Sequence, residues 1–285
     1  MHPTGETIIA GKYRLLQKLG EGGMGSVWRA QHIPLDSPVA IKLIDPALAS
    51  TTDALSRFLR EARAAASLRS PHVVQILDHG VDEGTPYIAM ELLEGETLGQ
   101  RLARVGKLPP SDTARMLVQV GRAVRRAHDA GIVHRDLKPD NVFIVHNDDD
   151  EIAKVLDLGI AKLNRGIDGA PSTGATRTGA LLGTPDYMSP EQIEGDRSLD
   201  YRSDIWSLGV IAFECLVGRR PFDAESIGSL ILAICSRPMP VPSNYGPIQR
   251  ASMHGLRARV VANRTSASLR HERPVASSKE SATAT

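Results

Sequence analysis

Between residues 12 and 45, β-branched and aromatic positions alternate with polar ones and are interrupted by Gly-rich breaks, a pattern that predicts antiparallel strands. Within it, "SPVAIKLID" is a short apolar strand bounded by Pro and Asp. From Asp53 to Leu68 the period changes to helical: Leu55, Phe58, Leu59, Ala62, Ala65 and Ala66 share one side, with Thr51, Thr52 or Asp53 available as cap. "HVVQILDHG" and "PYIAMELLEG" then predict two more strands. Past Pro109-Pro110 the chain becomes helix-rich. Ser111 or Asp112 can cap a helix running to about Asp129, with Ala114, Leu117, Val120, Val124 and Ala127 as its apolar stripe. "SDIWSLGVIAFECLVG" is apolar nearly all round, as expected of a helix buried in the centre of the second half. Residues 164–182 carry few large apolar side chains and many Gly, Ser and Thr, which predicts a long mobile loop.

Composition changes this picture little. The 285 residues, 41% hydrophobic and 24% charged, fit one large domain or two small lobes. Lys plus Arg number 34 against 33 Asp plus Glu, so the overall charge gives no reason to expect nucleic acid or a membrane surface as partner. Cys215 and Cys235 are too few for a disulfide framework and are expected as two buried thiols in a reducing compartment. The N-terminus lacks a charged region followed by an apolar one, and "IWSLGVIAFECLV" is too short to span a bilayer, so the expectation is a soluble, cytoplasmic chain.

The candidate chemistry begins at "LGEGGMGSVW", where Gly20, Gly22 and Gly25 form a G-x-G-x-x-G pattern that is weak by itself. A dinucleotide fingerprint would open a helix. Here Ser26-Val27-Trp28 continues as strand, which favours a β-hairpin covering phosphates, and no Gly is followed by Lys and Ser/Thr as in a P-loop. Lys42 ends a buried strand, where an ammonium is costly unless it meets anions, and Glu61 on the sheet-facing side of the helix is its candidate counter-ion. In "HRDLKPDN", Asp136 can accept or orient a hydroxyl proton, Lys138 can neutralise a transferring phosphoryl group, and Asn141 offers an oxygen ligand. Asp157, in "VLDLG", follows another short strand; one carboxylate and one carboxamide, completed by substrate phosphates, is a usual way of holding Mg²⁺.

Taken together and in order, "GEGGMGSV", "VAIK", "HRDLKPDN", "DLG", "GTPDYMSPE" and "SDIWSLGV" resemble the eukaryotic-like (Hanks-type) protein serine/threonine kinases, in the style of the bacterial branch, over about residues 13–240. The resemblance implies an α+β, two-lobed kinase fold: a β-rich N-lobe with one helix (about 13–91) and a mainly helical C-lobe (about 95–249), after an N-terminal extension 1–12. It implies ATP and Mg²⁺, with Mn²⁺ as an alternative, and protein substrates with Ser/Thr acceptors. By position, Gly20, Glu21, Gly22, Gly23, Met24 and Gly25 would cover the ATP phosphates, and Lys42, paired with Glu61, would hold the α/β-phosphates. Asp136 would act on the substrate hydroxyl, Lys138 on the γ-phosphoryl charge, and Asn141 and Asp157 on Mg²⁺. Adenine would lie between Leu19, Val27 and Ala40 above and Phe143 below, with backbone hydrogen bonds at Glu91 and Leu93 beside Met90. Lys138 and Thr184 resemble the serine/threonine branch. Arg135 would bind a phosphate on the loop, where Thr176 and Thr178 stand as autophosphorylation sites.

Departures from the family pattern are Leu158 for the usual Phe, Ser189 for Ala before Pro190-Glu191, and the C-terminus. Residues 250–285 are Ala/Ser/Arg-rich, with seven basic side chains against two acidic ones, a net +5 where core helices are expected. A disordered terminus, a substitute helix through Met253, Leu256 and Val260, and the product of a shifted reading frame are three readings of it, the last favoured. A truncated helical lobe leaves a non-catalytic, kinase-like binding or scaffold protein as the rival function. An NAD-using enzyme is a distant third, because the Gly loop does not open a helix.

Overall fold

The computed structural model describes residues 7–147, 150–158, 185–196 and 198–246, all within one unit, Met1–Gly246. The expectations for 164–182 and 250–285, and for Thr176, Thr178 and Thr184, lie outside the described residues.

The alternating N-terminal pattern forms a six-stranded antiparallel sheet in the order β1-β2-β3-β4-β6-β5. Its strands are β1 (Ile8–Ile9), β2 (Tyr13–Gly22), β3 (Gly25–His32), β4 (Ser37–Ile44), β5 (Ile76–Asp82) and β6 (Thr85–Glu91). One face buries Tyr13, Leu15, Trp28, Ile41, Leu43 and Tyr87. The other receives α1 (Thr52–Ala66), whose Phe58 and Ala62 pack with Ile44 and Ile88. Thr51 caps α1 by accepting the Ala54 N–H, the first of the three caps the spacing offered.

The helical half is built on α3 (Pro110–Asp129) and α5 (Arg202–Val217). Val120, Ala123, Val124 and Ala127 of α3 pack in one core with Ile211 and Cys215 of α5. As its all-round apolar pattern predicted, α5 buries Val210, Ile211, Phe213, Cys215 and Leu216. A small sheet in the order β7-β8-β9 (Gly95–Thr97, Val142–Asn147, Asp150–Val155) lies beside them, with α2 (Leu98–Val105), α4 (Pro190–Ile193) and α6 (Ile227–Ser236) as further helices among the described residues.

Three local expectations are corrected and one helix is added. Neither Ser111 nor Asp112 caps α3: the helix begins at Pro110, whose fixed φ suits a first helical position that needs no N–H donor. The strand expected from His72 starts at Ile76, because 72–74 bond to Val155 of β9 instead. Helix α2 was not read from the pattern; a Thr97/Gln100 capping box starts it, and its eight residues are too few for periodicity to stand out. Cys235 is exposed while Cys215 is buried, since α6 buries Leu230, Ala233 and Ile234 and turns Cys235 to its open side.

Candidate active site

The predicted residues fall on the β2–β3 hairpin, β4, β8 and the loops at 134–141 and after β9. Strands β2 and β3 close as a hairpin with Gly22 opposite Gly25, as expected of a covering loop. Gly25 is required there: its φ is +130°, and a Cβ would sit 1.9 Å from the Leu43 carbonyl oxygen. Gly20, Glu21, Gly22 and Gly23 are exposed, as is Leu19, whereas Met24 packs partly against the core under α1. On β4, Ala40 and Lys42 lie two residues apart and so share a face, with Val27 opposite Lys42 and Met90 opposite Ala40. Phe143, on β8, stands opposite Thr97 of β7 and Lys154 of β9.

Lys42 is buried, and its Nζ lies 2.6 Å from Asp157 Oδ2. Glu61 is buried on the sheet-facing side of α1, as expected. Burial pushes the Asp157 carboxyl upward, yet the Lys42 ammonium outweighs it and holds the group below the usual carboxylate range. Asp157 has a left-handed φ of 56°, a conformation Asp tolerates better than most residues.

The octapeptide loop is held from within. Asp136 Oδ2 accepts from Lys138 Nζ at 2.9 Å and from Asn141 Nδ2 at 3.2 Å, and Asn141 Nδ2 also reaches the Asp136 carbonyl at 2.7 Å. Both of those bonds use the amide nitrogen of Asn141, so its oxygen, the atom a hard cation takes, is not committed to Asp136. His134 sits beneath: its Nε2 donates to the Leu156 carbonyl at 2.8 Å and its Nδ1 accepts the Asp136 N–H at 3.3 Å, which sets the tautomer.

One positioning residue was missed by reading motifs for chemistry alone. Asp204, buried on α5, accepts the backbone N–H groups of His134 (2.9 Å) and Arg135 (2.8 Å) and meets His128 Nε2 at 2.7 Å. It thereby holds Arg135 at a φ of 67°, a left-handed conformation that costs a non-glycine residue free energy. Burial raises the Asp204 carboxyl, but the His128 hydrogen bond and the two backbone donors outweigh that and keep it low. The signal was present, since Asp204 lies in the quoted "SDIWSLGV". Arg135 Nε is buried with no hydrogen-bond partner among the described residues, while its carbonyl accepts from Gln192 at 2.8 Å. On the same side Tyr187 donates to Glu214 at 2.6 Å and Arg220 pairs with Asp186 at 2.6 Å.

A strand lobe over a helical lobe, with a lysine, an aspartate, a lysine and an asparagine meeting between them, defines a protein kinase fold. The chain belongs to the protein kinase domain family, whose model matches residues 13–252. It is 40% identical over 246 residues to serine/threonine-protein kinase pkn3 of Myxococcus xanthus, covering 86% of this chain and 44% of that one. It is 39% identical over 239 residues to serine/threonine-protein kinase PrkC of Bacillus subtilis, covering 84% and 35%. The chain thus spans less than half the length of these curated relatives. The crystal structure of the Mycobacterium tuberculosis PknI kinase domain superposes with a TM-score of 0.64 at 25% identity, covering 90% of this chain and 99% of that one. No helix among the described residues is long and apolar enough to cross a membrane.

Proposed function

We propose that the chain transfers the γ-phosphoryl group of ATP to serine and threonine hydroxyls of protein substrates. The observation that carries this reading is the Asp136 carboxylate, held by Lys138 and Asn141 beside the Lys42–Asp157 pair. Asp136 orients the acceptor hydroxyl and takes its proton; a bond forms from that oxygen to phosphorus as the bond to the leaving diphosphate oxygen breaks. Lys138, 2.9 Å from Asp136, places a positive charge where negative charge gathers during transfer. Lys42 stands opposite Val27 on the strand next to the glycine hairpin and would meet the nucleotide phosphates.

The donor set fits Mg²⁺: a carboxylate kept ionised at neutral pH and a carboxamide oxygen not committed to Asp136 are hard oxygen ligands, and Mg²⁺ takes few of these from protein. When bound, the ion would neutralise phosphate charge. Gly20 to Gly25 would cover the phosphates. Leu19, Val27, Ala40 and Phe143 would sandwich adenine, with Glu91 and Leu93 offering backbone groups. Arg135, whose Nε is buried with no hydrogen-bond partner among the described residues, would take a phosphate on Thr176 or Thr178 after autophosphorylation.

The test is transfer of labelled phosphate from γ-labelled ATP with Mg²⁺ to a Ser/Thr peptide, comparing the chain with Asp136→Asn. Transfer lost only in the variant supports the reading. ATP binding without transfer in the folded parent favours the scaffold alternative. Mass spectrometry locates the phosphothreonines; unmodified Thr176 and Thr178 in an active preparation would reject their autophosphorylation.

A further inference from the structure

Glu91 begins the connecting segment, and its side chain is not directed toward the proposed nucleotide. Its Oε1 accepts the Gln75 N–H at 2.8 Å and Lys154 Nζ at 2.6 Å, while its own N–H donates to the Gln75 carbonyl at 3.0 Å. Three parts of the chain therefore meet at one carboxylate: the end of β6, the stretch after α1, and β9 of the helical lobe. The Lys154 side chain is 15% exposed and that of Glu91 29%, so the pair is shielded well beyond an ordinary surface ion pair.

The surroundings make this pair a junction. The stretch before Gln75 is tied to the same strand as Lys154: the Val74 N–H donates to the Val155 carbonyl at 3.0 Å and the Val155 N–H to the His72 carbonyl at 2.9 Å. Lys154 is also the cross-strand partner of Phe143, the residue that would form the lower wall of the adenine site. Val39 of β4 pairs with Glu91, one residue from Ala40 of the upper wall. The segment that would hydrogen-bond adenine is thus fixed to both walls, and Lys154 supplies the only charged anchor of Glu91 among the described ion pairs.

We infer that Lys154 is a positioning residue for the nucleotide: by holding the Glu91 carboxylate against Gln75 and β9, it orders the backbone of 91–93 before an adenine nucleotide arrives. The inference rests on the proposed ATP site. Ordering a binding segment in advance lowers what binding must spend on it, so loss of the anchor weakens affinity without touching the groups that transfer phosphate.

The test is calorimetric titration of ADP with Mg²⁺ into the full chain and its Lys154→Met, Lys154→Arg, Glu91→Gln and Lys42→Met variants, with hydrogen exchange followed at the Gln75 and Glu91 amides. Lys154→Met is expected to weaken ADP binding about threefold to tenfold, the scale of coupling between contacting groups, and to speed exchange at both amides. Lys154→Arg should restore affinity, because it keeps a cationic donor. Glu91→Gln keeps an acceptor for the Gln75 N–H but loses the charge, and decides the matter in the same direction if Lys154→Met does not fold. Unchanged or tighter binding in the folded variants overturns the positioning role, and if Lys42→Met still weakens binding the ATP site itself stands. A folded parent chain that binds no nucleotide overturns the site reading and this inference with it.

Discussion

Lys42 Nζ lies 2.6 Å from Asp157 Oδ2, joining the sheet lobe to the strand end that leads out of β9. The contact places an ammonium and a carboxylate, both costly to bury singly, where each offsets the desolvation of the other. Burial pushes the Asp157 carboxyl upward, and the Lys42 contact holds it below the usual carboxylate range.

The first prediction concerns this pair and pH. Because the folded pKa of Asp157 is depressed, its stabilising contribution is complete above about pH 4 and is lost as pH falls through the folded value. Lys42→Met leaves burial without its counter-charge, so Asp157 should titrate upward. The deficit of the variant, about 1–2 kcal/mol for a pair that is only partly buried, should be largest near neutrality and shrink as the solution is acidified toward about pH 4. Urea unfolding at both ends of that range measures it; a deficit independent of pH would show the two charges to be uncoupled.

Asp136→Asn should keep the fold, since an amide fits the same space and can still accept from Lys138. Phosphate transfer is expected to fall about 10²–10⁴-fold, the usual contribution of a positioned proton acceptor. Nucleotide affinity should stay within a factor of about two. A comparable loss of ADP affinity would count against a role confined to the hydroxyl.

Asp204→Ala removes one acceptor shared by His134 N–H, Arg135 N–H and His128. Two buried backbone donors are then left without a partner, and destabilisation of about 2–4 kcal/mol is expected. The left-handed φ of Arg135 should relax, lowering kcat more than it raises the KM for ATP. Denaturant midpoints and steady-state kinetics read the two effects; wild-type kcat in a folded variant would contradict the clamp.

Gly25→Ala places a methyl group where the Leu43 carbonyl already stands and strains a φ of +130°. The hairpin of β2 and β3 must shift, so the KM for ATP should rise several-fold with a loss of stability of about 1–3 kcal/mol. Ala at Gly20 or Gly22, where nothing lies within 4 Å of an added Cβ, should be milder in stability, and thermal melts of the three variants rank them.

Of the two thiols, Cys235 is exposed and Cys215 buried, with the Cys215 thiol pushed up to about 12 by burial and by Glu214. A disulfide reagent near neutrality should titrate one thiol per native chain rapidly and the second only after unfolding. Two fast thiols would contradict the burial of Cys215.

Much of this molecule was legible in its sequence because the relevant signals are local. The alternation of 12–45 marks strands, the spacing of Phe58, Ala62 and Ala65 marks the buried face of α1, and the apolar surround of α5 marks a central helix. The candidate site was legible as residue types at fixed offsets in "HRDLKPDN" and "DLG". Its hidden supports were not: Asp204 acts on residues 69 and 70 positions away, and Lys154 reaches Glu91 across 63.

By itself the sequence determined which side chains carry charge and hydrogen-bonding capacity, most of the stretches that become strands or helices, and the motif spacing that makes a glycine hairpin, Lys42, Asp136, Asn141 and Asp157 candidates for one site. Periodicity and motif spacing are properties of neighbours along the chain, so they survive without a fold. Which carboxylate meets Lys42, which aspartate clamps the backbone of His134 and Arg135, and which lysine secures Glu91 were decided only by tertiary structure. Those pairings depend on distances of a few ångströms between distant segments, set by how the sheet, α1, β9 and α5 pack.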